Sequence, residues 1–257
     1  MCEYDNLAQI YDLWSTGDEA YISSHDFYFE LAKDFDEPIV ELGIGTGRIA
    51  IDLARLGKNI IGVDISPEML KICRQKAIFN NVEKNISFLQ QDARFFILQR
   101  KANLIYFPFR SIGHLITMDE KRKAFENIFN QLAPSGLFVF DHYIFNERWA
   151  KDHDGVPKLM YSEPINKTNE RLLIWDIYRF DYLHQLMNCL IAIEKIDPDG
   201  NVLTKKYTSL SFSWILPAQV TDLAKQAGFH IKALYGDFDK NQFDNSARNQ
   251  IWVLMKD

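Results

Sequence analysis

The chain has 257 residues, with 29 lysines and arginines against 35 aspartates and glutamates, a formal charge of −6. That balance supplies no basic field for nucleic acid or an anionic membrane, while 47% apolar residues are ample for a large core. Cys2, Cys73 and Cys189 are scattered with no CxxC spacing, which excludes a Cys-rich zinc site and argues against a disulfide framework. No segment approaches the roughly 20 apolar residues of a membrane span, and the acidic start of the chain does not read as a signal peptide. The expectation is a cytoplasmic globular protein of one α/β domain with a modest insertion.

In chain order, the segment 4–14 ("YDNLAQIYDLW") reads as amphipathic and helical, with Tyr11 and Trp14 on one face. "PIVELG" (38–43) is a short buried strand. Helical periodicity over 48–57 follows and is closed by Gly57. A second strand covers 59–66. The helix after it has Ser66 as cap, Pro67 at its first position and Glu68 in its first turn. Strands follow at 86–92 and 102–109, then an amphipathic helix over 118–134 stopped by Pro134, then a fifth strand at 136–143. Strands separated by helices of this length pair in parallel through right-handed crossovers, which gives a doubly wound sheet.

Beyond residue 155 the rhythm changes. Four long β-rich runs follow one another without helices between them, and "DPDGN" (197–201) has hairpin chemistry. This reads as an antiparallel insertion of three or four strands. The alternation Leu173/Trp175/Ile177 predicts which face packs on the domain or on a partner subunit. A helix at 217–229 and strands near 230–236 and 249–256 complete the α/β unit. The organisation expected is N-terminal helices at 1–34, an α/β core at 35–154, the insertion at 155–216 and completion of the core at 217–257.

"VELGIGTGR" (40–48) places Gly43, Gly45 and Gly47 at alternate positions behind a strand, so backbone approaches a ligand there. A dinucleotide fold wants G-x-G-x-x-G, and the third glycine position is Arg48, which disfavours a pyrophosphate and hence an NAD-dependent dehydrogenase. Asp64 ends the next strand, where a carboxylate accepts from ribose hydroxyls.

"VELGIGTGRIAIDLA", "IIGVDISPEML", "QQDAR", "LIYFPFRSIGHL" and "LAPSGLFVFD" together resemble the class I S-adenosylmethionine-dependent methyltransferases over about residues 35–143. The chain looks most like the small-molecule branch with an antiparallel insertion, which includes sugar N,N-dimethyltransferases and glycine N-methyltransferase-like enzymes. The resemblance implies a Rossmann-like, mostly parallel seven-stranded sheet and S-adenosylmethionine as cofactor, leaving S-adenosylhomocysteine as product. It implies Glu41 near the amino group of the methionine part, Gly43, Gly45 and Gly47 along it, and Asp64 on the ribose. It implies Ile65 and Met69 flanking adenine, with Asp92, Ala93 and Arg94 at its edge and Phe107 and Pro108 against the cofactor. It implies that the helices at 1–34 form a lid, in which Tyr11 matches an aromatic near the sulfonium, where an electron-rich ring suits a cation.

Candidates for the acceptor side stand near the carboxyl ends of strands four and five. His114 is the expected general base or orienting residue, since imidazole titrates near neutrality. Arg110 holds a carboxylate or phosphate of the acceptor, or pairs with a neighbouring acid. His142, beside Asp141, is a further substrate candidate. The cluster "KDHDG" (151–155), with a single histidine, reads as a solvated loop rather than a metal site. Tyr106-Phe107-Pro108-Phe109 lacks the leading Asn or Asp that methylases of nucleobases and glutamine amides place there. The expectation is methylation of a small-molecule amine. An O-methyltransferase and a non-catalytic cofactor-binding module are the rivals. The insertion, with Tyr161, Trp175, Tyr178, Tyr182 and Trp214, roofs the acceptor pocket, builds a homodimer contact, or does both.

Overall fold

The computed structural model describes residues 3–165 and 169–257, so Cys2 lies outside the described residues. A 3-10 turn at Glu3–Asn6 precedes α1 (Tyr11–Ser15) and α2 (Tyr21–Lys33). The core then runs β1 (Ile39–Leu42), α3 (Ala50–Arg55), β2 (Ile60–Asp64), α4 (Pro67–Phe79), β3 (Ile86–Gln90), β4 (Ala102–Phe107), α5 (Met118–Gln131) and β5 (Leu132–Tyr143). After α6 (Glu147–His153) come β6 (Pro157–Ile165), β7 (Glu170–Asp181), β8 (Leu186–Ile196) and β9 (Val202–Ser213). Helix α7 (Pro217–Ala227), β10 (His230–Tyr235) and β11 (Asn249–Met255) end the chain.

Seven strands form one sheet in the order β10-β11-β5-β4-β1-β2-β3, in which only β11 runs against the rest. Its central strands are buried on both faces because helices cover both. Ile39, Tyr106 and Val139 pack with Tyr28, Leu53 and Cys73 on one side. Val40, Ile105 and Phe138 pack with Phe125, Ile128 and Leu223 on the other. The Ser66 cap forms as expected, its Oγ accepting from Met69 N at 3.1 Å. Thr117 caps α5 with a capping box to Glu120.

Three expectations change. Helix α5 ends at Gln131, before Pro134, and β5 begins at once. Ser135 takes φ +61 there, and the pairing with β4 slips between Ala102 and Leu104. Part of the "KDHDG" segment is helical: Lys151–His153 close α6, which Asn146 caps through Trp149 N. The inserted sheet, in order β6-β7-β8-β9, turns inward the opposite face of β7 from the one expected. Ile174, Asp176 and Tyr178 are buried while Leu173, Trp175 and Ile177 are half-buried. Asp176 tolerates burial because Trp14 Nε1 and Tyr178 Oη donate to its carboxylate at 2.9 and 2.7 Å.

The end of β9 docks on the 3-10 turn Ser111–His114 that follows β4. Gly113 faces the Phe212 ring so closely that a Cβ there would lie 2.2 Å from Phe212 Cζ. Phe212 is itself packed between His114 and His142. Gly113→Ala is therefore expected to lower stability by about 1–3 kcal/mol. Thermal unfolding checks this, and an unchanged Tm would show that the insertion is not seated on this turn.

Candidate active site

Two cavities open at the carboxyl ends of the sheet strands and share Tyr4, Tyr11 and His114 as common wall. The smaller, about 250 Å³, is built on the first three strands. Gly43 and Gly45 take φ +62 and +55, a region open to glycine at no steric cost. A side chain at Gly45 would find only Gly43 O, at 3.8 Å, so the turn presents bare backbone to the cavity. Asp64 ends β2 beside it. One carboxylate oxygen accepts from Gly45 N and the other from Ser66 N, both at 2.8 Å, so Asp64 braces the glycine turn while facing the cavity. Burial raises its pKa against these amide bonds, which pull it down.

Of the residues expected around a cofactor, Tyr11, Gly43, Gly45, Asp64, Ile65, Met69, Asp92, Ala93, Arg94 and Phe107 line this cavity. Glu41, Gly47 and Pro108 do not. Glu41 lies beneath the turn, 2% exposed, taking a hydrogen bond from Tyr106 Oη at 2.9 Å, and burial pushes its carboxyl up to about 8. Gly47 packs against α4, where a Cβ would lie 2.5 Å from Cys73 Sγ. Pro108 supplies its carbonyl to Ser111 Oγ. Asp92 is gripped by Arg94, which also pairs with Glu120. Burial pushes the Asp92 carboxyl up, but the guanidinium outweighs it and holds the pKa down. Arg48 stacks between the rings of Tyr21 and Phe109, 4.8 Å from each centroid, and donates to Tyr21 O, which ties α2 to the glycine turn. The residues present fit S-adenosylmethionine: a side-chain-free turn for its methionine part, a strand-end carboxylate for ribose, and Ile65, Met69 and Ala93 for a flat ring.

The larger cavity, about 950 Å³, lies between the core, the N-terminal segment and the inserted sheet. Trp14, Tyr143, Phe145, Trp149, Tyr178, Phe180 and Phe212 give it an aromatic wall. Arg110 lines it with φ +62, its guanidinium paired with Asp18 and its backbone N donating to Asp141. The second alternative for Arg110, a neighbouring acid, is thus the one observed. Arg110 Nε and Tyr143 Oη are buried without a hydrogen-bond partner among the described residues. His142 lines neither cavity. It is 0% exposed, with its ring nitrogens 3.0 and 3.1 Å from the carbonyls of Tyr143 and Ser213, out of reach of an acceptor. His153 stacks on Trp149 at 4.3 Å.

His114 stands where the cavities meet. Tyr4 Oη is 2.6 Å from its Nε2, and Nδ1 faces Ser211 O at 3.4 Å. Burial pushes the imidazole down to about 4, so it is neutral at pH 7. A carbonyl can only accept, which assigns the hydrogen to Nδ1 and the lone pair to Nε2, with Tyr4 O–H donating to it. Tyr4 carried no distinguishing signal in the sequence, since its partner is 110 residues away.

The buried histidines predict acid sensitivity. Burial pushes His142 down to about 3, against 6.5 for the free group. Below 6.5 the unfolded chain takes up a proton that the folded chain refuses, so stability is lost as pH falls from 6.5 toward 3. His142→Asn is expected to flatten that slope in denaturant titrations at stepped pH. An equally steep slope in the variant would contradict the assignment.

A doubly wound sheet with a glycine turn, a strand-end carboxylate and a second cavity across a shared wall is the architecture of a nucleotide-binding α/β protein. Residues 39–136 match the methyltransferase domain family. A putative protein N5-glutamine methyltransferase of Methanocaldococcus jannaschii is 32% identical over 51% of this chain and 68% of its own. A putative methyltransferase of Bacillus subtilis is 30% identical over 54% of each chain, so the match spans about half of that relative. Among solved structures, the CcbJ methyltransferase of Streptomyces caelestis superposes with a TM-score of 0.78 at 22% identity, over 98% of this chain and 96% of that one. CalS10, a Micromonospora echinaspora amino pentose methyltransferase solved with S-adenosylmethionine bound, gives 0.70 at 16% identity over 96% and 97%. The chain belongs to the class I S-adenosylmethionine-dependent methyltransferases, and S-adenosylmethionine is its cofactor.

Proposed function

We propose that this enzyme transfers a methyl group to the nitrogen of a small-molecule amine held in the aromatic cavity. The observation that carries this is the shared wall of Tyr4, Tyr11 and His114 between the two cavities. S-adenosylmethionine supplies an electrophilic methyl carbon on a sulfonium. The chain supplies alignment and exclusion of water. The glycine turn and Asp64 would hold the cofactor, and Tyr11 would offer its ring to the sulfonium cation. Tyr4 gives its hydrogen to His114 and so presents oxygen lone pairs to an acceptor N–H.

Magnitudes decide the role of His114. An imidazole of pKa about 4 is too weak to deprotonate an alkylammonium of pKa about 10, an uphill transfer of roughly 8 kcal/mol. His114 and Tyr4 therefore orient an amine that arrives neutral. An aliphatic hydroxyl needs a base as it attacks, and on the wall shared by the two cavities His114, held down to about 4, is too weak to serve, which favours nitrogen over oxygen. The likeness to CalS10 in fold supports the same reading. Tyr106, with its hydroxyl on Glu41, offers no oxygen for an amide, unlike the glutamine methylases.

The test is incubation with methyl-labelled S-adenosylmethionine and a panel of amines and their hydroxyl counterparts, with the labelled atom located by NMR. Label on nitrogen is expected. Label on oxygen would convert the assignment to an O-methyltransferase, and cofactor binding without transfer across the panel would favour a non-catalytic module. For a productive amine, kcat/KM is expected to rise with pH as the acceptor loses its own proton, with no rising limb near 6.5. A limb near 6.5 would mean that a histidine does act as base.

A further inference from the structure

A buried ammonium lies beneath the His114 turn. Lys121, on α5, is 1% exposed, and among the described residues no carboxylate forms an ion pair with it. Its Nζ donates to Leu115 O and, at 2.6 Å, to Ser213 Oγ. Ser213 Oγ lies 3.0 Å from Gly113 O and 3.1 Å from Leu115 O, with one hydrogen to donate between them. Gly113 and Leu115 are the neighbours of His114. Ser213 is the last residue of β9, and its carbonyl faces His142 Nε2.

Burying a cation without a counter-ion costs several kcal/mol, and a methionine of similar reach would fill the same space without that cost. What the methionine lacks is a donor for Leu115 O, on one side of His114, and for Ser213 Oγ, which reaches Gly113 O on the other. The same turn touches β9 twice more, through His114 Nδ1 at Ser211 O and through Gly113 at the Phe212 ring. The lysine thus sits at the seam where the turn of the core meets the sheet that walls the acceptor cavity.

We propose that Lys121 is a positioning residue for methyl transfer: its ammonium ties the His114 turn to the end of the inserted sheet, so that the orienting imidazole and the acceptor cavity's wall hold a fixed relation. This rests on the reading of His114 given above. The titratable groups around the clamp are Glu120 on α5, itself bound to Arg94, with His114 on the turn and His142 on β5. Burial pushes Lys121 down to about 8, and its charge adds to the burial that keeps both histidines neutral.

The test is NMR titration of the full chain with S-adenosylhomocysteine, in wild type, Lys121→Met and Ser213→Ala. In wild type the Lys121 Nζ signal is expected to titrate near 8. In Lys121→Met the His114 ring is expected to titrate above its wild-type midpoint, with amide signals of residues 113–115 displaced and S-adenosylhomocysteine affinity within about threefold. A lysine that only fills space would leave the amide signals of residues 113–115 in place in Lys121→Met, with Tm unchanged or raised, which would overturn the proposal. So would a Lys121 signal that titrates near 10.5 with exposed lysines. Ser213→Ala removes the link to Gly113 without touching the charge, and unchanged signals at 113–115 in that variant would also overturn it. Failure of the wild type to bind S-adenosylhomocysteine would instead count against the methyltransferase reading, and the Lys121 signals would be judged separately.

Discussion

His114→Ala is expected to reduce kcat/KM for amine methylation by about 100-fold while leaving S-adenosylhomocysteine affinity within about threefold, if, as proposed, the imidazole orients the nucleophile rather than holding the cofactor. Tyr4→Phe is expected to act in the same direction. It removes the oxygen that stands 2.6 Å from His114 Nε2 and borders both cavities. Initial rates with an amine identified by labelling check both variants. A His114→Ala enzyme with undiminished rate would remove the Tyr4–His114 pair from the reaction, and a large loss of cofactor affinity would reassign it to cofactor binding.

Asp64→Ala is the second large effect. The carboxylate does two things at once: it accepts from Gly45 N and Ser66 N at 2.8 Å each, and it faces the cofactor cavity. Its removal takes away a ligand contact and also releases the bare-backbone turn from the end of β2. Two charge-assisted hydrogen bonds from ribose hydroxyls, at roughly 1.5–3 kcal/mol each, would correspond to a loss of at least about 100-fold in affinity. Calorimetric titration of the variant with S-adenosylhomocysteine is the check. Asp64→Asn, which keeps a carbonyl oxygen for one amide, is expected to fall between wild type and alanine. Equal affinity in wild type and Asp64→Ala would take the ligand away from this turn.

Much of the architecture was legible because its signals are local. Strand runs, the Ser66-Pro67-Glu68 helix start, the glycine spacing and the carboxylate about 20 residues on all lie within a few residues of the feature they encode. The face of β7 turned to the domain is not the Leu173/Trp175/Ile177 face; in the sequence one polar residue, Asp176, interrupts the buried row, and the donors that make it tolerable are Trp14, far away in sequence, and Tyr178. Arg110 looked available for an anionic acceptor until Asp18, on the N-terminal segment, took its guanidinium. His142 looked like a pocket residue by its place at the end of β5, and tertiary packing under Phe212 and Ser213 withdrew it. Tyr4 and Lys121 had no local pattern at all. Their partners are fixed only when the N-terminal segment and the inserted sheet close over the core.

The measurement that bears most directly on the whole account is side-by-side calorimetric titration of the wild-type protein with S-adenosylmethionine, S-adenosylhomocysteine and NAD. Micromolar binding of the first two is expected, and none of the dinucleotide, since Arg48 stands where a pyrophosphate needs the third glycine. Binding of NAD alone, or of none of the three, would contradict it.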